Sequence, residues 1–187
     1  MNILGKSALI TALALSGVAH ASGAIYVTEP GADGFNNQTA AFNGSSYEIT
    51  QLIFDFSSTL TSDGSHIVID GAPSAITAPT GGSATFFGGD AVFGFNFTSF
   101  NTFDSFSFRW DPDSALNESY DATSLDFVGA KITAVTTMGT YFGVFEQVGA
   151  TPDVAACLTP VPEPETYALA LAGLGVAGLT ARRRKSV

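Results

Sequence analysis

The chain has 187 residues, a length that suits one domain with targeting segments at its ends. Between residues 22 and 160 the only bases are Arg109 and Lys131, against fifteen Asp and Glu residues, which gives this segment a net charge of −13. Such a segment repels nucleic acid and anionic membrane, so we expect no nucleic-acid partner, and a neutral partner, a cationic partner or a divalent cation fits better. Cys157 is the single cysteine, so no disulfide forms within the chain and a hydrophobic core must stabilise it.

Residues 1–21 have the three parts of a secretory signal peptide. Lys6 supplies the positive charge, residues 8–15 form the apolar segment, and Ala19 and Ala21 bracket a cleavage site of small residues. We therefore expect the mature chain to begin at Ser22 and the body to lie outside the cytoplasm.

Strand patterns dominate from residue 24 to residue 150. Short segments rich in aromatic and β-branched residues alternate with clusters of Gly, Asn, Asp, Pro and Ser, which favours an all-β fold, an antiparallel β-sandwich or jelly roll. The predicted strands are Ala24 to Glu29, Tyr47 to Phe56, His66 to Asp70, Ala84 to Phe87, Ala91 to Thr98, Ser105 to Trp110, Leu125 to Val135 and Thr140 to Val148.

Residues 93–110, FGFNFTSFNTFDSFSFRW, carry two sets of aromatic residues with a period of two. A period of two places each set on one face of a strand. We interpret the segment as two paired strands with their phenyl rings in the core. The alternative is an exposed platform that stacks on sugar rings, and Trp110 is the best candidate for such a ligand-stacking role.

Hard oxygen ligands of the kind that calcium prefers follow directly after this segment. The predicted ligands are Asp111, Asp113, Asn117, Glu118 and Asp121. The spacing departs from that of an EF-hand, and a solvated acidic loop with no cofactor is the alternative.

Catalytic motifs are scarce in the predicted body. His66 is its only histidine, G-x-S-x-G does not occur, and too few His and Cys residues are present for a zinc site. Glycoside hydrolysis needs only two carboxyl groups, so a small glycan-active hydrolase stays as the least favoured alternative. We expect the protein not to be an enzyme.

Residues 131–148 predict a hairpin with Gly139 at the turn. The pattern stops after Val148. We therefore assign residues 22–150 to the folded body and residues 151–165 to a Pro-rich linker.

The tail combines a stiff segment, an apolar segment and a basic end. Residues 166–181 predict a transmembrane helix of about 24 Å, slightly short for a bilayer core of about 30 Å. The basic end at residues 182–187 should stay in the cytoplasm, which places the acidic body on the far side of the membrane. The basic residues are Arg182, Arg183, Arg184 and Lys185.

Pro162-Glu163-Pro164, a short apolar helix and then a run of basic residues at the chain end resemble the PEP-CTERM sorting signal. This resemblance implies that an exosortase recognises the tail in the inner membrane of a Gram-negative bacterium and cuts it near Pro162-Glu163-Pro164. It implies nothing about the fold or activity of the body.

The two targeting segments and the scarcity of catalytic motifs favour an exported, non-enzymatic protein of the cell surface or extracellular matrix. The resemblance implies an association with exopolysaccharide, because exosortases belong to bacteria that produce it. The second hypothesis is a lectin-like carbohydrate-binding module that uses Trp110 and the loop 111–121, with calcium as an aid.

Overall fold

The computed structural model describes residues 24–30, 37–162, 168 and 171–174. Within these residues the strands are β1 Ile25–Glu29, β2 Asn37–Asn43, β3 Ile49–Asp55, β4 Ile67–Ile69, β5 Ser74–Thr77, β6 Ser83–Gly89, β7 Val92–Phe100, β8 Ser105–Trp110, β9 Pro112–Ser114, β10 Asn117–Asp121, β11 Lys131–Thr136, β12 Gly139–Val144, β13 Glu146–Gln147 and β14 Val154–Pro160. A 3-10 helix spans Ser124–Phe127, and residues 168 and 171–174 are helical.

Eleven of these strands form one continuous antiparallel sheet. Its order is β5-β8-β2-β1-β14-β12-β11-β3-β7-β6, and β13 pairs beside β14. The other three strands form a small sheet in the order β10-β9-β4. The large sheet folds over so that rings on β3 and β7 contact rings on β8 across the interior. The predicted all-β, antiparallel class is confirmed.

The core between the two halves of the sheet is built mainly from phenyl rings. On β7 the rings of Phe93, Phe95 and Phe97 are buried, and on β8 those of Phe106 and Phe108 are buried as well. The ring centroid of Phe95 lies 4.8 Å from that of Phe106 and 4.7 Å from that of Phe108. The prediction that these rings form the core is confirmed.

The predicted pairing of β7 with β8 is wrong. Strand β7 pairs with β3 and β6, whereas β8 pairs with β2 and β5. Residues 101–104 carry the chain from one half of the sheet to the other, and Phe103 adopts a φ of +68° there. Its backbone N–H donates to the Asn43 carbonyl at 2.7 Å, which ties the crossover to the end of β2.

The hairpin predicted over residues 131–148 is present. Strands β11 and β12 pair from Lys131 opposite Val144 to Thr136 opposite Gly139, with Thr137 and Met138 between them. The predicted strand over residues 125–135 is shorter than expected, because Ser124–Phe127 forms the 3-10 helix. Thr123 and Asp126 form a capping box at the start of this helix, an arrangement that satisfies backbone donors there.

The linker predicted over residues 151–165 begins too early. Val154–Pro160 is strand β14, which pairs with β1, β12 and β13. Its inward side chains, Val154, Ala156 and Leu158, are buried in the core. Two alanines and a cysteine weaken the strand pattern in the sequence, but the neighbouring strands supply the hydrogen bonds and the apolar surface that β14 needs.

The strand registers define two ends of the body. At the end that we call the tail end, β1 begins and β14 finishes, with Ile25 opposite both Leu158 and Asn43. Glu48 and Asp104 are the acids there among the described residues. The opposite end, which we call the acidic end, holds Glu29, Asp55, Asp63, Asp70, Asp90, Asp111, Asp113, Asp121, Asp126, Glu146 and Asp153.

Candidate functional site

Three of the predicted calcium ligands converge at the acidic end. Asp111 directly follows β8, Asp113 lies in β9, and Asp121 ends β10. One carboxylate oxygen from each lies within 4.8 Å of the others. Asp113 and Asp121 are directly opposite one another in the small sheet, a position in which like charges destabilise the pairing.

The charged form of the Asp111 carboxyl group is disfavoured by its surroundings. Its Oδ1 atom is buried and accepts no hydrogen bond. Burial, and then the neighbouring charges of Asp121 and Asp70, raise the pKa of Asp111. Protons or a cation would relieve this repulsion.

The other two predicted calcium ligands are Asn117 and Glu118. The Asn117 Oδ1 atom accepts a hydrogen bond from the Ser119 backbone N–H at 3.2 Å. The side chain of Glu118 lies outside the described residues. Among the described side chains, Asp111, Asp113 and Asp121 form the acidic group that could hold calcium.

Trp110 does not offer a ring to a ligand, which corrects the ligand-stacking prediction. Its side chain is 4 % exposed and packs against Phe56, Phe93 and Phe127. Its Nε1–H donates to the Thr39 hydroxyl at 3.0 Å. The period of two that puts Phe106 and Phe108 inside puts Trp110 inside as well.

A buried polar group that the sequence did not reveal lies on the inner face of β1 and β2. Glu29 is 0 % exposed, and its Oε2 atom accepts a hydrogen bond from the Thr39 hydroxyl. The Oε1 atom of Glu29 and both polar atoms of the buried Asn37 side chain have no hydrogen-bond partner. Burial raises the pKa of Glu29 to about 7, although the hydrogen bonds from Thr39 and Trp110 oppose that shift.

The sequence signal for this group was the strand period itself. Ile25, Val27 and Glu29 share one face of β1, and Asn37 and Thr39 share the inward face of β2. A polar residue at an inward position of a strand indicates a buried polar group. This signal was missed for Asn37 and Thr39 because β2 was not predicted, since Asn, Gln and Ala are weak strand formers.

A cavity of about 260 Å³ lies at the edge of the body near Glu29. Residues 28–30 line one side of it, and Val148 and residues 153–155 line the other. Two carboxyl-bearing residues, Glu29 and Asp153, thus border the cavity, but the side chain of Glu29 is closed off from solvent.

The predicted sorting residues lie at the edge of the described structure. The Val161 backbone N–H donates to the Thr140 carbonyl at 2.8 Å, and the next residue, Pro162, is exposed. Glu163, Pro164 and the basic residues 182–185 lie outside the described residues, as do Ala19 and Ala21. The ordered body thus reaches to within one residue of the Pro-Glu-Pro triplet.

Comparison with known proteins identifies this tail. Residues 160–185 match the family model described as the PEP-CTERM protein-sorting motif. The chain therefore carries a PEP-CTERM sorting signal, which implies an exported protein with an exosortase as its processing partner. No similar curated protein and no similar solved structure was found, so the body has no recognised family.

Most of the helix predicted for residues 166–181 lies outside the described residues. Within the part of the chain that the structure describes, no helix has both the length and the apolar character needed to cross a bilayer. Leu171 and Leu174 are helical and exposed, so the body does not cover them.

Proposed function

We propose that this protein is a non-enzymatic component of an exopolysaccharide layer at the cell surface or in the extracellular matrix. In this proposal the tail anchors the chain in the inner membrane until an exosortase cuts it near Pro162-Glu163-Pro164. The observation that carries the proposal is the position of the sorting motif directly after β14. A cut beyond Val161 leaves every described strand in the released body.

The position of β14 in the sheet strengthens this proposal. Because β14 lies between β1 and β12 in the large sheet, the fold is completed only when the residues just before the motif are in place. The segment between the last backbone hydrogen bond, at Val161, and the predicted helix at residue 166 is short and contains two prolines. Prolines keep such a segment extended, which is the conformation that protease active sites bind.

The non-enzymatic part of the proposal draws on the cavity beside Glu29. A glycosidase needs two carboxyl groups that both reach the scissile bond. Glu29 has the raised pKa of a general acid, but its side chain is fully buried, which argues against direct contact with a substrate in the cavity. If incubation of the purified protein with exopolysaccharide released new reducing ends, this part of the proposal would be overturned.

A calcium-assisted lectin is the second candidate, and the convergence of Asp111, Asp113 and Asp121 favours it. The burial of Trp110 removes the aromatic ring that this candidate relied on. Glycan-array binding with calcium and with a chelator separates the two candidates. Selective hits that disappear with the chelator would favour the lectin, whereas a structural component gives no selective hits.

The sorting step is tested in the native host by replacing Pro162, Glu163 and Pro164 together with alanine. We expect this variant to stay in the membrane fraction with its tail uncut, whereas the natural protein is processed. Pro152→Ala, a proline change in an exposed loop at the acidic end, is the matched control and should be processed normally. Normal processing of the triple variant would contradict the proposal.

A further inference from the structure

We propose that the tail end carries a membrane-docking patch, formed by Tyr26, Phe42 and Phe103, that seats the body on the lipid surface beside its own tail. This inference rests on the membrane anchoring proposed above. It adds an interaction surface on the body itself and a defined orientation of the body before processing.

The three rings form a row on the outer face of the sheet. Tyr26 in β1 lies directly opposite Phe42 in β2, and both side chains point away from the core. The Phe103 ring extends the row, with its centroid 6.4 Å from that of Phe42. Tyr26 is 49 % exposed, Phe42 is 37 % exposed and Phe103 is 75 % exposed.

Phe103 is held outward by its backbone. Its φ of +68° lies in the left-handed region, which is unfavourable for a bulky side chain. Hydrogen bonds fix it on both sides: the Phe103 N–H donates to the Asn43 carbonyl at 2.7 Å, and the Asn43 N–H donates to the Asp104 carbonyl at 3.0 Å. A strained position that presents an apolar ring to solvent is typical of a functional surface.

The length of the chain beyond the fold brings this patch to the membrane. The described body is hydrogen-bonded up to Val161, and the predicted apolar segment begins at residue 166. Five extended residues span at most about 17 Å, so the tail end cannot move far from the bilayer while the tail is inserted. The patch lies at this same end, because Tyr26 is the second residue of β1 and pairs with Phe42, one residue before the end of β2.

The distribution of charge favours the same orientation. The outward positions of β1, β2 and β8 near the patch carry Thr28, Ala40, Ser105 and Ser107, none of which is acidic, and Asp104, directly after Phe103, is an acid at the border of the patch. Most described acids lie at the acidic end, which anionic lipid headgroups repel. Aromatic rings favour the interface between headgroups and hydrocarbon, so a lipid surface fits the tail end better than the acidic end.

The native Cys157 allows a direct test. It is exposed and lies opposite Tyr26, so a fluorescent label on its thiol reports on the patch. The full-length chain is reconstituted into vesicles of phosphatidylethanolamine and phosphatidylglycerol, and quenching of the label by acrylamide in the water is measured. We expect the label to be shielded compared with the same chain in detergent.

The variant that removes the patch combines Tyr26→Thr, Phe42→Thr and Phe103→Asn. Threonine suits a strand and asparagine tolerates a positive φ, so the fold should persist, which an unchanged thermal unfolding midpoint will check. Each lost ring should lower the ratio of docked to undocked body by about tenfold, so the label becomes accessible to acrylamide. The matched control is Leu116→Asn, which removes a 78 % exposed apolar side chain at the acidic end and should leave the shielding unchanged.

Flotation of the vesicles separates this inference from the anchoring on which it rests. If the chain does not float with the vesicles, the anchoring fails and the patch proposal is overturned with it. If the chain floats but the natural protein's label is as accessible as that of the patch variant, the patch alone is overturned. Shielding by added exopolysaccharide but not by lipid would also overturn it, because the occupant would then be a glycan.

Discussion

Glu29 is an ionisable side chain placed where a strand normally carries an apolar one. Its neighbours on the inner face of β1, Ile25 and Val27, belong to the core, while Glu29 keeps one carboxylate oxygen without a hydrogen-bond partner. The charged form is disfavoured by burial, so the side chain makes the stability of the body depend on pH.

The sign of this dependence follows from the two pKa values of Glu29, about 7 in the folded body and 4.5 as the reference for the unfolded chain. The folded state binds the proton more tightly than the unfolded chain does. The contribution of Glu29 to the free energy of unfolding is therefore fully present below about pH 4.5 and is lost as the pH rises through 7. Between about pH 4.5 and pH 7 this group lowers the free energy of unfolding by about 3 kcal/mol. Glu29→Gln should therefore be more stable than the natural protein at pH 8 and nearly equal to it at pH 5.

Urea unfolding at pH 5 and pH 8 measures this difference. The range avoids the acid side, where the lowered pKa values of Asp55 and Asp63 make stability fall as the pH falls. Equal loss of stability in both proteins between pH 5 and pH 8 would show that Glu29 does not titrate in this range.

Many strand positions and the hairpin of β11 and β12 were predictable from the sequence, whereas the partners of β7 and β8 were not. The alternation of aromatic and small residues in Ser105–Trp110 gives β8 and the buried face of that strand directly. It does not tell whether Asn101 to Asp104 makes a tight hairpin or a crossover to the other half of the sheet. That choice depends on hydrogen bonds to Asn43, which is more than fifty residues away in the chain.

The same limit applies to the candidate site. The sequence placed Asp111, Asp113 and Asp121 in one acidic segment, and the pairing of β9 with β10 brings them together. The strand period did indicate that Trp110 shares the inner face with Phe106 and Phe108, and the ligand-stacking prediction treated it as an exception to that pattern.

Strand β14 gives the sharpest prediction at this scale. A chain that ends at Asp153 lacks the strand between β1 and β12 and should not fold cooperatively, whereas a chain that ends at Val161 should fold like the full body. Near-UV circular dichroism and thermal unfolding distinguish the two. Cooperative unfolding of the shorter chain would restore the interpretation of these residues as a linker.

Close approach of β3, β6 and β7 gives a second prediction for the elements. A Cβ atom at Gly94 would lie 2.3 Å from the Leu52 carbonyl oxygen and 2.7 Å from a ring carbon of Phe87, whereas one at Gly89 meets nothing within 4 Å. We expect Gly94→Ala to destabilise the body by about 1–3 kcal/mol and Gly89→Ala to leave it nearly unchanged. Urea unfolding of both variants measures the difference, and equal midpoints would contradict the observed register.

The whole molecule is polarised between an acidic end and a nearly uncharged tail end. At the acidic end, Asp111, Asp113 and Asp121 lie close together, and burial and neighbouring charges disfavour the charged form of Asp111. Asp111→Asn should raise the thermal unfolding midpoint in chelator at neutral pH, because it removes a charge that burial and its neighbours disfavour.

The same variant tests the calcium prediction. If the three carboxylates bind calcium, added calcium raises the unfolding midpoint of the natural protein and has a smaller effect on Asp111→Asn. Equal shifts in both proteins would assign the cluster to a solvated acidic surface.

Intact-mass spectrometry of the mature protein from its native host tests export and tail processing together, because one spectrum reads both ends of the chain and any attached group. We expect a chain that begins at Ser22, ends beyond Val161 so that β14 is retained, and has lost the basic residues 182–185. A full-length chain from Met1 to Val187, recovered folded from the cytosol, would contradict this expectation.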